Sequence, residues 1–385
     1  MRGPLLLAVL LLLAAAAPAA GAPREVPPGW LGTVVDGPLT GPSAGSFAGE
    51  WDLMAARGVE SVRVAVFWDE AQPLARIEDV PSEAAGRFRD ENGVPTDFSR
   101  TDAVVAAAAA RGMSVLPVVQ RTPAWAARRP GDPASPPADP ATFAAFAGAL
   151  VRRYGPGGSF WSERPELPQI PVRDWQVWNE PNLPGFWSAQ PFARSYLRLL
   201  RSARTAIRAA DPGARVILAG LPNYSWRALR AIYRAGGRGA FDAVALHPFT
   251  GPPRFVMKLI RLARAEMRRN GDARLPVWVT ELSWPASAGQ RPRPGGFEVT
   301  DAGQAQRLGE ALRRLRDARV RLRIERVYWY TWLSTERGPG AFDWAGLRRV
   351  RGGRAATTPA LRVFARWARR LQGCAKAPGD ARRCR

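Results

Sequence analysis

The chain has 385 residues, of which 46% are hydrophobic and 9% aromatic, so it contains enough apolar material for a large folded core. This composition excludes an intrinsically disordered protein and a collagen-like repeat. After position 17 no apolar run is long enough to cross a bilayer, which excludes a polytopic membrane protein.

The formal net charge of +23 results from 56 basic and 33 acidic side chains. All the basic residues except Lys258 and Lys376 are arginines, and they are spread along predicted helices. No helix-turn-helix, zinc-finger or RNA-binding motif accompanies them. We therefore expect solvated helix faces and no nucleic-acid partner. Attraction to an anionic envelope polymer or to an acidic sugar is the alternative.

Residues 1–22 have the pattern of a secretory signal peptide. Arg2 precedes an apolar run from Leu5 to Ala17, which is shorter than the about 20 residues that a spanning helix needs. Small residues on both sides of Pro18 provide a cleavage site. The sequence predicts an exported protein, secreted or associated with the cell envelope, without stable membrane insertion. An uncleaved anchor is the alternative.

Eight short β-branched segments alternate with longer amphipathic segments rich in Ala, Arg and Leu. This alternation predicts an α/β fold with a parallel sheet and crossover helices, and eight pairs predict a (β/α)8 TIM barrel over residues 23–372. The predicted strands are Leu31–Asp36, Ser61–Phe67, Ser114–Val119, Asp174–Trp178, Arg215–Ala219, Phe241–Leu246, Pro276–Thr280 and Arg326–Thr331. The predicted helices lie around 45–57, 100–111, 140–154, 190–210, 225–235, 254–270, 301–318 and 358–371.

A C-terminal tail over 373–385 contains both cysteines, Cys374 and Cys384. Export favours a disulfide between them over a metal site. Two cysteines alone also provide too few ligands for structural zinc.

The second predicted strand alternates between valines on one face and Arg63 with its neighbours on the other. If the valines pack on helices, Arg63 points into the barrel, where it needs a partner of opposite charge. The loops after the strands, notably 68–98, 282–300 and 333–357, are long and rich in Trp, Pro and Gly. In a barrel such loops form the face that carries active sites.

Two predicted strands lead into a carboxylate. The fourth continues into Trp178-Asn179-Glu180-Pro181-Asn182, and the seventh leads into Glu281. Both carboxylates would face each other across the mouth of the barrel, where they can supply the acid and the nucleophile that glycosidic bond cleavage requires. Two unrelated loop glutamates are the alternative.

These segments resemble the clan A glycoside hydrolases, the retaining "4/7" barrel enzymes, and are most similar to families 39 and 5. The resemblance spans nearly the whole mature chain, and Trp-Asn-Glu-Pro-Asn is its most specific part. It implies that Glu180 is the acid/base, that Glu281 is the nucleophile and that Asn179 binds the sugar 2-hydroxyl. A nearby Arg63 would lower the pKa of Glu281, whereas burial and the charge of Glu281 would raise that of Glu180. A salt bridge without a catalytic part is the alternative for Arg63.

His247 is the only histidine, so a serine or cysteine triad and a multi-histidine metal site have almost no residues to form them. Its position before Pro248, at the end of the sixth strand, matches the family's active-site histidine, with a structural role as the alternative. The family's last-strand tryptophan forms a floor under the sugar, and we assign this role to Trp332. Trp329 and Tyr330 are the alternatives.

Some residues depart from the family pattern or have a less specific role. Phe249 stands where relatives commonly have a tyrosine that hydrogen-bonds the nucleophile, and it lacks the donor. Trp125 and Trp187 are further candidates for sugar stacking, although core packing is the ordinary role of a tryptophan. The absence of the histidine that many family 5 enzymes carry near the third strand favours family 39.

The sequence thus predicts an exported, monomeric retaining O-glycoside hydrolase that cleaves an oligosaccharide or polysaccharide by double displacement. It predicts no metal and no organic cofactor. A non-catalytic carbohydrate-binding barrel at the cell envelope is the main alternative. A basic envelope-binding protein that acts through its arginines is the third possibility.

Overall fold

The computed structural model describes residues 23–290, 296–336 and 340–385. The predicted signal peptide lies outside these residues. Eight strands form the central sheet: β1 Leu31–Val35, β2 Ser61–Phe67, β3 Ser114–Gln120, β4 Asp174–Val177, β5 Arg215–Ile217, β6 Val244–His247, β7 Val277–Leu282 and β8 Ile324–Trp329. The main helix after each strand is, in order, α1 Gly49–Ala56, α2 Ser99–Ala109, α3 Pro140–Tyr154, α4 Ala193–Ala210, α5 Ser225–Arg234, α6 Pro253–Arg269, α7 Asp301–Leu322 and α8 Pro359–Gln372.

The sheet is parallel and closes on itself. Its strand order is β5-β4-β3-β2-β1-β8-β7-β6, and the short strand Leu221–Pro222 pairs with the outer edge of β6. Isolated bridges from Ile217 to Ala243 and from Asn179 to Gly220 complete the circle. The protein is therefore a (β/α)8 barrel, as the sequence predicts.

All eight predicted strands and helices are present, with shifts of a few residues at their ends. The largest difference is at β5, which the sequence predicts to extend to Ala219 and which ends at Ile217. The N–H of Ala219 instead donates to the hydroxyl of Tyr196, a buried residue of α4. A long-range contact with a helix thus replaces the last part of the ladder.

Alternation along the strands separates the core from the barrel interior. Val62, Val64 and Val66 of β2 belong to the main core that includes the helices, whereas Arg63 shares its face with Leu116 of β3. A second, smaller cluster that includes Leu116, Trp278 and Tyr328 fills the barrel interior. The barrel is therefore packed, and only the upper ends of its strands carry residues that can meet a ligand.

The C-terminal tail forms a hairpin of Lys376–Ala377 with Asp380–Cys384, which packs against α1. The predicted disulfide between Cys374 and Cys384 is present in it. In the described part of the chain, no helix is both long and apolar enough to span a membrane.

Candidate active site

Glu180 and Glu281 lie at the same mouth of the barrel because each is at the C-terminal end of a parallel strand. After β4 the backbone turns sharply, with positive φ angles of 70° at Trp178 and 46° at Glu180. Such angles are uncommon outside glycine and need support from the surroundings. The N–H of Glu180 donates to the carbonyl of Gly220 at 3.1 Å, which holds this turn against the segment after β5.

The two carboxylates are close together and largely withdrawn from solvent. One carboxylate oxygen of Glu180, one of Glu281 and one ring nitrogen of His247 lie within 4.8 Å of one another. The glutamate side chains are 11% and 12% exposed. Carboxyl pairs that cleave glycosidic bonds with retention are about 5–5.5 Å apart, against about 6.5–9.5 Å in inverting pairs. The separation here falls on the short side.

Arg63 points into the barrel and binds Glu281, as the sequence predicts. Its Nη1 donates to Oε1 of Glu281 at 2.7 Å, its Nη2 to Oδ1 of Asn179 at 2.9 Å and its Nε to Oε1 of Gln176 at 2.8 Å. The buried guanidinium therefore has a carboxylate partner. Because the oxygen of Asn179 accepts from Arg63, the amide NH2 of Asn179 is the group it can offer as a donor to a ligand.

His247 is fully buried beneath the carboxylates, with Nδ1 2.6 Å from Oε1 of Glu180 and 3.6 Å from Oε2 of Glu281. Burial lowers the pKa of His247 to about 3, so the imidazole is neutral at physiological pH. Its Nε2 has no hydrogen-bond partner among the described residues. We therefore assign the proton to Nδ1, which donates it to Glu180, since this tautomer leaves no donor unpaired.

Burial dominates the titration of both glutamates. It raises the pKa of Glu180 to about 7, against the opposing charge of Arg63. The pKa of Glu281 is raised as well, because burial outweighs the favourable charges of its neighbours, including Arg63. The expectation that Arg63 would leave Glu281 with a lowered pKa is thus wrong in its net direction. Glu281 is nevertheless the carboxylate that holds the ion pair.

A cavity of about 700 Å³ opens above the carboxylates. Arg63, Asn179, Glu180 and Glu281 line its base, and His247 lies just beneath. The upper wall contains three phenylalanines from separate segments, Phe249, Phe297 and Phe342. The site therefore combines buried acid–base groups with an apolar wall, the composition expected of a small-molecule pocket.

The assignment of the aromatic floor to Trp332 is wrong. Trp332 is fully buried outside the cavity, and its Nε1 donates to Oε2 of Glu50 at 2.9 Å. Strand β8 ends at Trp329, so the inward alternation does not continue to Trp332; the chain turns instead and Leu333–Ser334 joins a separate small sheet. Tyr330, one of the two alternatives, lines the cavity.

Neither of the other two tryptophan candidates lines the cavity. Trp187 is buried and packs edge-on against Trp178, and Trp125 packs edge-on against Trp68. Phe249 does line the cavity, with its ring centroid 4.7 Å from that of Phe342. It provides no donor to Glu281, in agreement with the departure noted in the sequence.

Asp36 and Phe342 are cavity residues that the sequence analysis missed. Asp36 follows β1 directly, and its position as a polar residue at the C-terminal end of a barrel strand was a usable signal. Phe342 comes from a long loop and carries no sequence pattern that could have identified it.

Glu180, His247 and Glu281 also form a group of potential metal ligands in the described part of the chain. The arrangement does not favour a divalent cation. The guanidinium of Arg63 contacts Glu281 directly, and the Nδ1–H of His247 points at Glu180, so two positive groups occupy the directions from which a metal would be bound. The site is built for proton transfer between carboxylates.

The fold and the site together define a (β/α)8 barrel with paired carboxylates at the ends of its fourth and seventh strands. No protein-family model and no curated protein matches the chain. Solved structures do, and those it resembles are glycoside hydrolases. The chain is similar to the GH39 enzyme from Xanthomonas axonopodis pv. citri, with 19% identity and a TM-score of 0.61 over 90% of this chain and 67% of that one.

Further similar structures have related descriptions. A monomeric beta-xylosidase from Caulobacter crescentus CB15 is 18% identical, with a TM-score of 0.59 over 90% of this chain and 69% of that one. A GH5_18 variant from Streptomyces cattleya in complex with Manb1-4GlcNAc is 18% identical, with a TM-score of 0.63 over 89% and 81%. At these identities the likeness establishes the fold, and it agrees with the resemblance to families 39 and 5.

Proposed function

We propose that the protein is a retaining O-glycoside hydrolase in which Glu281 is the nucleophile and Glu180 the acid/base. The observation that carries this proposal is the pair of buried carboxylates whose nearest oxygens lie within 4.8 Å of each other at the mouth of the barrel. This spacing suits direct attack on the sugar and leaves too little room for a water molecule between the second carboxylate and the anomeric carbon.

The contacts of the two glutamates support the division of roles. Glu281 accepts a charge-assisted hydrogen bond from Arg63, which favours its ionised form relative to Glu180. Glu180 has a pKa of about 7 and so carries a proton at moderately acidic pH, as a general acid must. Because His247 occupies Oε1 of Glu180, the other oxygen is available to hold the transferable proton.

The reaction then proceeds in two balanced steps. In the first, a Glu281 oxygen forms a bond to the anomeric carbon while Glu180 transfers its proton to the glycosidic oxygen, and the leaving group departs as an alcohol. In the second, the ionised Glu180 takes a proton from water, the water oxygen bonds to the anomeric carbon and Glu281 is released. The NH2 of Asn179 donates to the sugar 2-hydroxyl. One water is consumed and the configuration is retained.

The similar structures suggest which sugars to test. Besides the beta-xylosidase, they include a glucosidase and an exo-beta-1,4-mannosidase. We therefore propose a carbohydrate substrate, with β-xylosides, β-glucosides and β-mannosides as first candidates. We further propose export through residues 1–22, and action as a monomer without metal or organic cofactor.

A carbohydrate-binding barrel without activity is the second candidate, and Phe249 is the observation that favours it. Its ring lacks the hydroxyl that would help to hold the nucleophile, and the phenylalanines around it can bind a sugar face without chemistry.

The test is a screen of the purified protein on 4-nitrophenyl β-xyloside, β-glucoside and β-mannoside and on polysaccharides. We expect hydrolysis of at least one substrate, a first product of retained anomeric configuration by NMR, and loss of turnover in Glu281→Gln. Glu70→Gln, which removes a surface carboxylate, is the matched control and should keep activity. Net inversion, or full activity of Glu281→Gln, contradicts the mechanism. Binding without hydrolysis supports the second candidate.

A further inference from the structure

Asp36 is a third carboxylate of the cavity, and the proposed mechanism does not use it. It directly follows β1 and lines the cavity together with Arg63, Glu281 and Tyr330. Its charge attracts that of Arg63, which also binds Glu281. A half-buried acceptor of this kind needs a reason to be in a sugar-sized pocket.

Two donors from the end of β8 hold Asp36 in place. The hydroxyl of Thr331 donates to Oδ1 of Asp36 at 2.6 Å, and the hydroxyl of Tyr330 also donates to this carboxylate. The ring of Phe342 packs edge-on against that of Tyr330, with centroids 5.4 Å apart, which restricts the Tyr330 side chain. An ionised carboxylate can accept about four hydrogen bonds, so about two positions remain for a ligand.

The position of Asp36 indicates which part of a sugar it would meet. The leaving group of a bound glycoside lies on the side of Glu180, which follows β4, because Glu180 protonates it. Strands β1 and β8 lie three and four places from β4 in the strand order, on the opposite side of the barrel. A ring whose anomeric carbon lies over Glu281 therefore points its far carbons toward Asp36 and Tyr330.

We infer that Asp36 is a specificity-determining residue, which accepts hydrogen bonds from hydroxyl groups on carbons 3 and 4 of the glycone, while Tyr330 is a positioning residue that holds its carboxylate. This inference rests on the proposed function and names the substrate class within it. The glycone is a neutral sugar with a free hydroxyl group on at least one of these carbons, because an acidic substituent there would be repelled by Asp36. The high positive charge of the chain does not extend to this wall of the cavity.

The test measures whether Asp36 and a sugar hydroxyl depend on each other. The 4-nitrophenyl glycoside that the wild type cleaves fastest is compared with its 3-deoxy and 4-deoxy counterparts, in the wild type and in Asp36→Asn. We expect at least one deoxygenation to lower kcat/KM of the wild type by about 10–100-fold, the range of a hydrogen bond to a charged group. Asp36→Asn should lose a similar factor on the parent glycoside, with little further loss on the deoxy sugar.

Two further variants separate this role from a general effect of charge or folding. Asp69→Asn removes a carboxylate from another part of the cavity wall and should discriminate between parent and deoxy substrates as the wild type does. Tyr330→Phe should show the Asp36→Asn pattern in weaker form, mainly as a higher KM. Thermal melting of each variant checks that it is folded. Additive losses from Asp36→Asn and from both deoxygenations would overturn the inference.

A binding experiment keeps the inference testable apart from hydrolysis. Calorimetry measures methyl β-xyloside, β-glucoside and β-mannoside on Glu281→Gln, with and without Asp36→Asn. If a glycoside binds but none is cleaved by the wild type, the proposed function fails, and a tenfold weaker affinity with Asp36→Asn still supports the role of Asp36. Equal affinity of the two proteins overturns that role. If no glycoside is either cleaved or bound, both proposals are wrong.

Discussion

Gly220 lies so close to His247 that a Cβ at position 220 would be 2.0 Å from Nε2 of the imidazole. The carbonyl of the same glycine accepts the N–H of Glu180. One residue without a side chain thus makes room for the histidine and supports the backbone of the acid that the histidine contacts. The glycine is required here by close approach, and not by its φ angle.

We predict that Gly220→Ala displaces His247 and separates it from Glu180. Because the contact is with a fully buried ring, overpacking should lower the free energy of unfolding by about 1–3 kcal/mol. It should also lower kcat/KM by tenfold or more, on the scale of general acid catalysis. Gly185→Ala is the control, since Gly185 lines the same cavity and a Cβ there meets no atom within 4 Å. Equal activity of the two variants would contradict the proposed link between Gly220 and the acid.

The pKa of Glu180 predicts the alkaline side of the pH profile. The acid must be protonated in the first step, so kcat/KM for a substrate with a poor leaving group should fall as pH rises through about 7. The nucleophile must be ionised, so activity should also fall at low pH, and the raised pKa of Glu281 brings that limb closer to neutrality. A narrow bell is therefore expected, with two pKa values that belong to the coupled pair.

Glu180→Gln distinguishes the two limbs. With a 2,4-dinitrophenyl glycoside, whose departure needs no proton, this variant should retain the acidic limb and lose the alkaline one. An alkaline limb that persists near pH 7 would show that another group provides it.

Arg63 is predicted to set the acidic limb. Arg63→Ala removes the positive charge that contacts Glu281, so the pKa of Glu281 should rise and the acidic limb should move to higher pH. Three buried acceptors also lose their donors, and we expect the variant to be about 3–5 kcal/mol less stable by urea unfolding.

Arg348→Ala is the matched control for this experiment. Arg348 forms a buried ion pair with Glu50, with Nη2 2.8 Å from Oε1, away from the cavity. Its loss should destabilise the chain to a similar extent and leave the pH limbs in place. An unchanged acidic limb in Arg63→Ala would mean that the ion pair is structural.

The sequence was sufficient for most of the fold, because the barrel repeats one local pattern. Each strand is a short β-branched run, and each helix has its own cap or apolar stripe; Asp139, for example, caps α3 through the N–H of Ala141 and is followed by Pro140. The early end of β5 was not predictable in this way. It depends on the hydroxyl of Tyr196, which reaches Ala219 from a different helix.

The candidate site divides along the same line. Arg63, Glu180, His247 and Glu281 were identifiable because strand ends and strand alternation fix where such side chains point. The place of Trp332 was not, because it depends on the residue at which β8 stops, and strand ends are the least certain part of a sequence pattern. The net direction of the pKa of Glu281 needed the extent of its burial, which no sequence motif gives.

The division of labour between the carboxylates leads to the final prediction, the response of Glu180→Ala to azide. Without its acid, this variant should still be glycosylated at Glu281 by substrates with good leaving groups, but water should no longer be activated to release the sugar. Azide needs no general base and should attack the glycosyl-enzyme from the same face as water. We therefore expect azide to restore turnover of Glu180→Ala and to yield, from a β-glycoside, the β-glycosyl azide, identified by NMR. Glu281→Ala lacks the carboxylate that forms this intermediate, so azide should give it either no product or the α-glycosyl azide by direct displacement. A β-azide from Glu281→Ala, or none from Glu180→Ala, would require that the two roles be exchanged or abandoned.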